Sequence, residues 1–206
     1  RTGNHLPSES AETLADRELL TAMKDCEGFV DDWQGRGDSL TDLVGLLKNR
    51  LTFVFHEIGD EAMVYTVFGV LNSRGLDVSW FDRLKSMLMA IVFEADTGNK
   101  TEIIGEVHQL WADIYKCVGL QAGMSTEALR FAATLRLEQR PNRPLGEEEA
   151  AALLRDQSKA GPAKVIETTT WLKAVTEAVN QLAADRRINA VTRIVQARLV
   201  AAAVHL

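Results

Sequence analysis

The sequence predicts a mainly α protein, a multi-helix bundle with one short β-strand near residues 51–58. Three observations carry this expectation. Apolar residues recur every three to four positions along most of the 206 residues, the spacing of one face of an α-helix. Only residues 51–58 (LTFVFHEI) break that rhythm, gathering β-branched and aromatic side chains before Gly59 and Asp60 end the run. Finally, an apolar fraction of 46% beside a charged fraction of 25% is that of an ordinary globular protein, enough to build a core without staples.

Taken in order, Leu19, Met23, Cys26, Val30 and Trp33 step by four and three and form one stripe of a first helix, which the glycines at 35 and 37 end. A second helix follows at once with Leu40, Leu43, Val44 and Leu47. Beyond the strand, helical spacing covers residues 60–71, 79–95, 100–118, 125–139, 147–158, 163–185 and 187–205. The clearest core stripes are Ile103, Val107, Leu110, Ile114 and Cys117 in one helix, and Val165, Leu172, Val175, Val179 and Leu182 in another.

A lone strand leaves its backbone groups unpaired, so 51–58 calls for a partner strand from an upstream segment or from a second copy in a homodimer. Pro141 and Pro144 break helix in the loop 139–146. That loop divides the chain into a helical domain, 1–140, and a C-terminal helical subdomain, 141–206, two regions that can pack as one. The chain opens at Arg1 and closes inside a helical pattern, which reads as a piece of a longer protein.

A net charge of -6 offers no long-range attraction to phosphate and argues against wrapping nucleic acid by bulk charge. Cys26 and Cys117 sit far apart in helical patterns, outside any Cys-x-x-Cys spacing, and read as small core residues in a reducing, cytoplasmic compartment. No apolar run reaches the length of about 18 residues that a bilayer needs. His5, His56, His108 and His205 are scattered, which gives no metal site, and no phosphate-cradling Gly-x-x-x-x-Gly-Lys loop is present.

The chemistry worth weighing lies between Phe68 and Lys85. Asn72, Ser73, Arg74 and Gly75 suit a helix C-cap and tight turn, since asparagine and glycine tolerate left-handed backbone angles. Ser79 with Asp82 three residues on starts the next helix, and Asp82 also orients Arg74 or Lys85. Arg74 carries a rigid fork for phosphate or carboxylate, Asn72 an amide for a polar edge, and Lys85 a point charge, so Asn72, Arg74, Gly75 and Lys85 form a candidate anion or nucleotide site. The same residues serve equally as a helix-turn-helix corner. Downstream, Arg136, Arg140 and Arg143 follow one another into the proline loop as candidate DNA phosphate contacts.

A strand, an acidic turn, a helix ending in Phe-x-x-Leu-Asn-x-Arg-Gly and a helix with Asp-x-x-Lys together resemble the amino-terminal domain family of GmrSD-type modification-dependent restriction enzymes and related phage-defence proteins. The matching residues are those at 53–58, then Asp60, Glu61, Phe68, Leu71, Asn72, Arg74, Gly75, Asp82, Leu84 and Lys85. The likeness spans 51–88. It implies a ParB/sulfiredoxin-like, nucleotide-handling fold with a helical extension, of which this chain holds the helical part. The family's Asp-Gly-Gln-Gln-Arg motif is missing here, as is its histidine-asparagine-histidine nuclease motif. The full-length family implies an NTP-dependent DNA endonuclease using GTP or ATP with Mg. This chain, needing the upstream segment as its partner, would sense nucleotide or DNA without catalysing anything alone. The other class open to it is a helical protein-interaction or structural module with no small-molecule site.

Overall fold

The computed structural model describes residues 11–52, 57–59, 63, 67, 78–121, 123–139, 141–185 and 195–206. Eight helices lie among them, and no strand does. The chain is a mainly α, multi-helix protein that divides into two compact units, Arg1–Glu57 and Ile58–Leu206.

The first unit is a helical hairpin. Helix α1 spans Leu14–Gly35 and begins with a reciprocal cap: the Thr13 hydroxyl accepts from the Asp16 amide, and the Asp16 carboxylate accepts from the Thr13 amide at 2.9 Å. Gly37, at φ 85°, turns the chain in a conformation that side-chain-bearing residues avoid. Ser39 then caps α2, Leu40–Arg50, and its carbonyl accepts from the Trp33 indole at 3.0 Å. Among the described residues of this unit only Leu43 is buried, at 8% exposure.

The stripe expected to face a core is therefore uncovered. Leu19 stands 64% exposed and Met23 37%, and Cys26 is exposed too, contrary to its reading as a core residue, while Val30 and Trp33 near the turn are half-buried. The physical reason is that α2 meets α1 near the turn and leaves the rest of the apolar stripe facing outward. After α2, Leu51 has extended backbone, but residues 53–56 of the expected strand lie outside the described residues.

In the second unit six helices follow: α3 (Trp80–Glu94), α4 (Lys100–Val118), α5 (Met124–Thr134), α6 (Glu147–Ser158), α7 (Pro162–Ala184) and α8 (Val195–His205). Helix α7 starts sharply because Gly161 takes φ 126° and Pro162 occupies the first turn, where its missing N–H costs nothing. Helix α6 opens with Glu147, Glu148 and Glu149, whose charges favour a helix N-terminus.

Around α7 pack α3, α4, α5, α6 and α8, so its buried face (Val165, Leu172, Val175, Val179 and Leu182) is the centre of the core, as its spacing foretells. Phe81 and Trp111, fully buried, meet edge to face at 5.2 Å and lock α3 onto α4. Met63 and Val67 are helical; the rest of the helix expected over 60–71 lies outside the described residues.

Helix α5 stops at Thr134, five residues before the expected end, because the Thr134 hydroxyl donates to the Arg130 carbonyl and accepts the Leu145 amide at 3.0 Å. Arg130 Nε also donates to the Leu145 carbonyl at 2.7 Å. These bonds tie the loop to α5, so the boundary expected at 140/141 falls inside the second unit.

Candidate functional site

At the start of α3, Ser79 Oγ accepts the Asp82 amide at 3.1 Å and donates to Asp82 Oδ2 at 2.6 Å. The other carboxylate oxygen of Asp82 accepts the hydroxyl of Tyr115, carried on α4. Lys85, one turn beyond Asp82, lays its ammonium 5.0 Å from the centre of the Tyr115 ring. Four side chains from two helices thus form one cluster.

Its electrostatics follow from partial burial. Burial pushes the Lys85 ammonium below the ordinary lysine range, and the Asp82 charge opposes that shift. Burial pushes the Tyr115 phenol up, and the hydrogen bond to Asp82 and its negative charge push the same way. A proton held this firmly on Tyr115 makes it a hydrogen-bond donor and not a base. The cluster fixes the first turn of α3 and commits Asp82 and Lys85 to partners inside the fold. Asn72, Arg74 and Gly75 lie outside the described residues.

The arginines of the basic stretch have different surroundings. Arg136 points inward: its Nη1 donates to Gln157 Oε1 at 3.2 Å and to Thr168 Oγ1 at 3.3 Å, and its guanidinium lies 5.6 Å from the Trp171 ring centre. Glu167 is 3.6 Å away, and the Arg136 side chain is only 19% exposed. Burial lowers the pKa of this guanidinium, and Glu167 counters it. Arg143 is exposed, and Arg140 lies outside the described residues.

Two hollows in the second unit escaped sequence reasoning. One, of about 350 Å³, is lined by Gln121, Thr126, Arg130, Val179 and an ion pair in which Arg198 grips Glu127 through two bonds of 2.6 and 2.7 Å. The other, of about 510 Å³, is an apolar groove between Leu135, Leu137 and Pro141 on one side and Leu199, Val200 and Val204 on the other. Each joins residues from helices far apart in sequence, so local spacing carries no signal of it. Among the described residues no group of three or more His, Cys, Asp or Glu side chains is placed to hold a metal ion, and no helix is long and apolar enough to cross a membrane.

No protein-family model, no curated protein and no solved structure matches the chain.

Proposed function

We propose that the chain is a helical protein-interaction module that works through exposed apolar helix faces and not through a small-molecule site. The observation that carries this reading is the first unit, a capped and well-formed hairpin whose apolar stripes face outward: Leu19, Met23 and Phe29 on α1, and Leu40, Val44 and Leu47 on α2. Contiguous outward apolar faces, unlike singly scattered apolar residues, mark surfaces that meet another protein. Supporting it, Asp82, Lys85 and Arg136 are engaged within the fold, which removes three of the polar groups that a ligand would use.

The test is titration calorimetry of the intact chain and of Arg74→Ala with GTP, ATP and a short DNA duplex. The expected result is no heat of binding from either protein. Heat from the intact chain that vanishes in Arg74→Ala would overturn the interaction reading.

That outcome would establish the second reading, a cytoplasmic nucleotide- or DNA-sensing portion of a restriction or phage-defence protein, not catalytic alone. It is supported by the resemblance over 51–88 to the GmrSD-type family and by the Ser79–Asp82–Tyr115 network, which fixes the helix that follows Gly75 in sequence. On this reading Asn72, Arg74 and Gly75 line a pocket completed by an upstream segment, GTP or ATP with Mg is handled by the whole protein, and Arg143 offers a surface charge to DNA.

A further inference from the structure

We propose, resting on the interaction-module reading, that α1 is the docking face for a basic amphipathic helix of a partner protein. The argument starts from how 3.6-residue periodicity distributes the side chains of α1. Leu19, Met23, Cys26 and Val30 fall on one line, with Trp33 at its end and Phe29 beside it. Glu27 and Asp31 border that line on one side, and beyond Phe29 Glu18, which also meets Arg17 at 3.8 Å, and Asp25 border it on the other. The two cations of the helix, Arg17 and Lys24, fall on the opposite face together with Asp32.

All four bordering carboxylates are exposed, as are Leu19, Met23, Cys26 and Phe29. An apolar stripe between two acidic rims has a definite complement: a helix with leucine-like residues on one face and Lys or Arg on both borders. A second copy of the chain is a poor occupant, because it would set its own acidic rims against these, and like charges in register are costly. A strongly acidic partner fails for the same reason. The apolar line supplies the affinity through area removed from water, and the rims select charge and orientation.

The experiment uses the full chain and three labelled helical peptides of about 18 residues, or about five turns. The first has a leucine stripe bordered by lysines, the second the same stripe bordered by glutamates, and the third the composition of the first in scrambled order. Fluorescence anisotropy measures binding at low and high salt.

The expected result is one-to-one binding of the leucine/lysine peptide, at least about tenfold tighter than either control and weaker at high salt, as screening of exposed charges requires. The double substitution Leu19→Asp, Met23→Asp abolishes it, and Asp25→Lys with Glu27→Lys and Asp31→Lys weakens it about tenfold while improving the glutamate peptide. These side chains are exposed, and circular dichroism of each variant confirms that its helices remain.

Equal binding of the scrambled peptide would reduce the effect to bulk charge and overturn the proposal. Preference for the glutamate peptide would overturn it as well. So would a chain that is dimeric by light scattering and becomes monomeric with Leu19→Asp, Met23→Asp, since a second copy would then be the occupant. In the dimer case contact still depends on Leu19 and Met23, so the interaction reading survives while the partner chemistry falls, and a glutamate preference that Leu19→Asp, Met23→Asp abolishes has the same meaning. Binding of no peptide would overturn the proposal, and joined by no self-association and nucleotide heat that depends on Arg74 it would end the interaction reading too.

Discussion

Arg136 donates to Gln157 and Thr168 and covers the Trp171 ring, so its removal strands polar groups that the fold has already taken from water. Arg136→Ala is expected to cost about 2–3 kcal/mol, because a partly buried charged donor is lost and its acceptors are left with poor partners. Arg143→Ala, at an exposed site, is expected to stay within about 0.5 kcal/mol. Urea unfolding midpoints of the two variants check this, and equal midpoints would show that the Arg136 network holds nothing together. Tyr115 gives the residue scale a pH signature. Its phenol is held protonated above the ordinary value of 10.0, so the unfolded chain releases that proton first and stability falls as pH rises past about 10. Lys85, shifted downward, acts in the opposite sense: the unfolded chain holds that proton longer, so stability rises as pH climbs toward 10.5. Tyr115→Phe is therefore expected to flatten the alkaline loss of stability, and at neutral pH to cost about 1–2 kcal/mol through the bond to Asp82. A variant with an unchanged alkaline limb would locate the titrating group elsewhere.

Helix α7 separates hydroxyls that serve the helix from one that serves its neighbours. Thr176 donates to the Leu172 carbonyl at 2.7 Å, inside its own helix, so Thr176→Val removes no tertiary bond and is expected to change stability by less than about 1 kcal/mol. Thr168 accepts from Ser158 at 2.9 Å and from Arg136, joining α6, α7 and the end of α5. Thr168→Val removes this tertiary acceptor, Ser158 keeping the Leu154 carbonyl at 2.8 Å and Arg136 keeping Gln157 at 3.2 Å, and is expected to cost about 1 kcal/mol more than Thr176→Val in parallel urea unfolding. Elements of this kind are also where sequence is most and least informative. The stripe from Val165 to Leu182 is legible because its five apolar members recur at helical spacing, although the buried Thr168, Thr169 and Thr176 beside it give no such signal. The same period in α1 names an apolar face and is silent about what covers it, which is why Cys26 reads as core and stands exposed. In α4 the expected line is only partly right: Val107 and Ile114 are buried, but Ile103, Leu110 and Cys117 are half-buried, and the buried face is turned toward Trp111 and Val118, because the period names an apolar side and not its centre. The Ser79–Asp82 cap is local and can be read from spacing. Tyr115, thirty-three residues from Asp82, is joined to it only by the packing of α3 on α4.

At the scale of the whole molecule, stability is divided unequally. Among the described residues every buried side chain except Leu43 belongs to the second unit, where α7 is enclosed by five other helices. The hairpin has sound caps, but caps contribute about 1 kcal/mol each, and a helix of 22 residues without buried contacts is marginal in water. The two units are therefore expected to open separately. In native-state hydrogen exchange of the full chain, amides of α1 and α2 exchange through local opening at small free energies, while the core amides of α7 report the global unfolding of their unit. Leu43→Ala is expected to hasten exchange in the hairpin and leave the main urea transition in place. Leu88→Ala, which empties space at a fully buried position of α3, is expected to lower that transition by about 2–5 kcal/mol. If α1 amides prove as protected as those of α7 in the free chain, the hairpin is already covered and its apolar face is not available to a partner. If they are weakly protected and become slow when the leucine/lysine peptide is added, the same face has exchanged water for a helix, and the stability that the hairpin lacks alone is supplied by what docks on it.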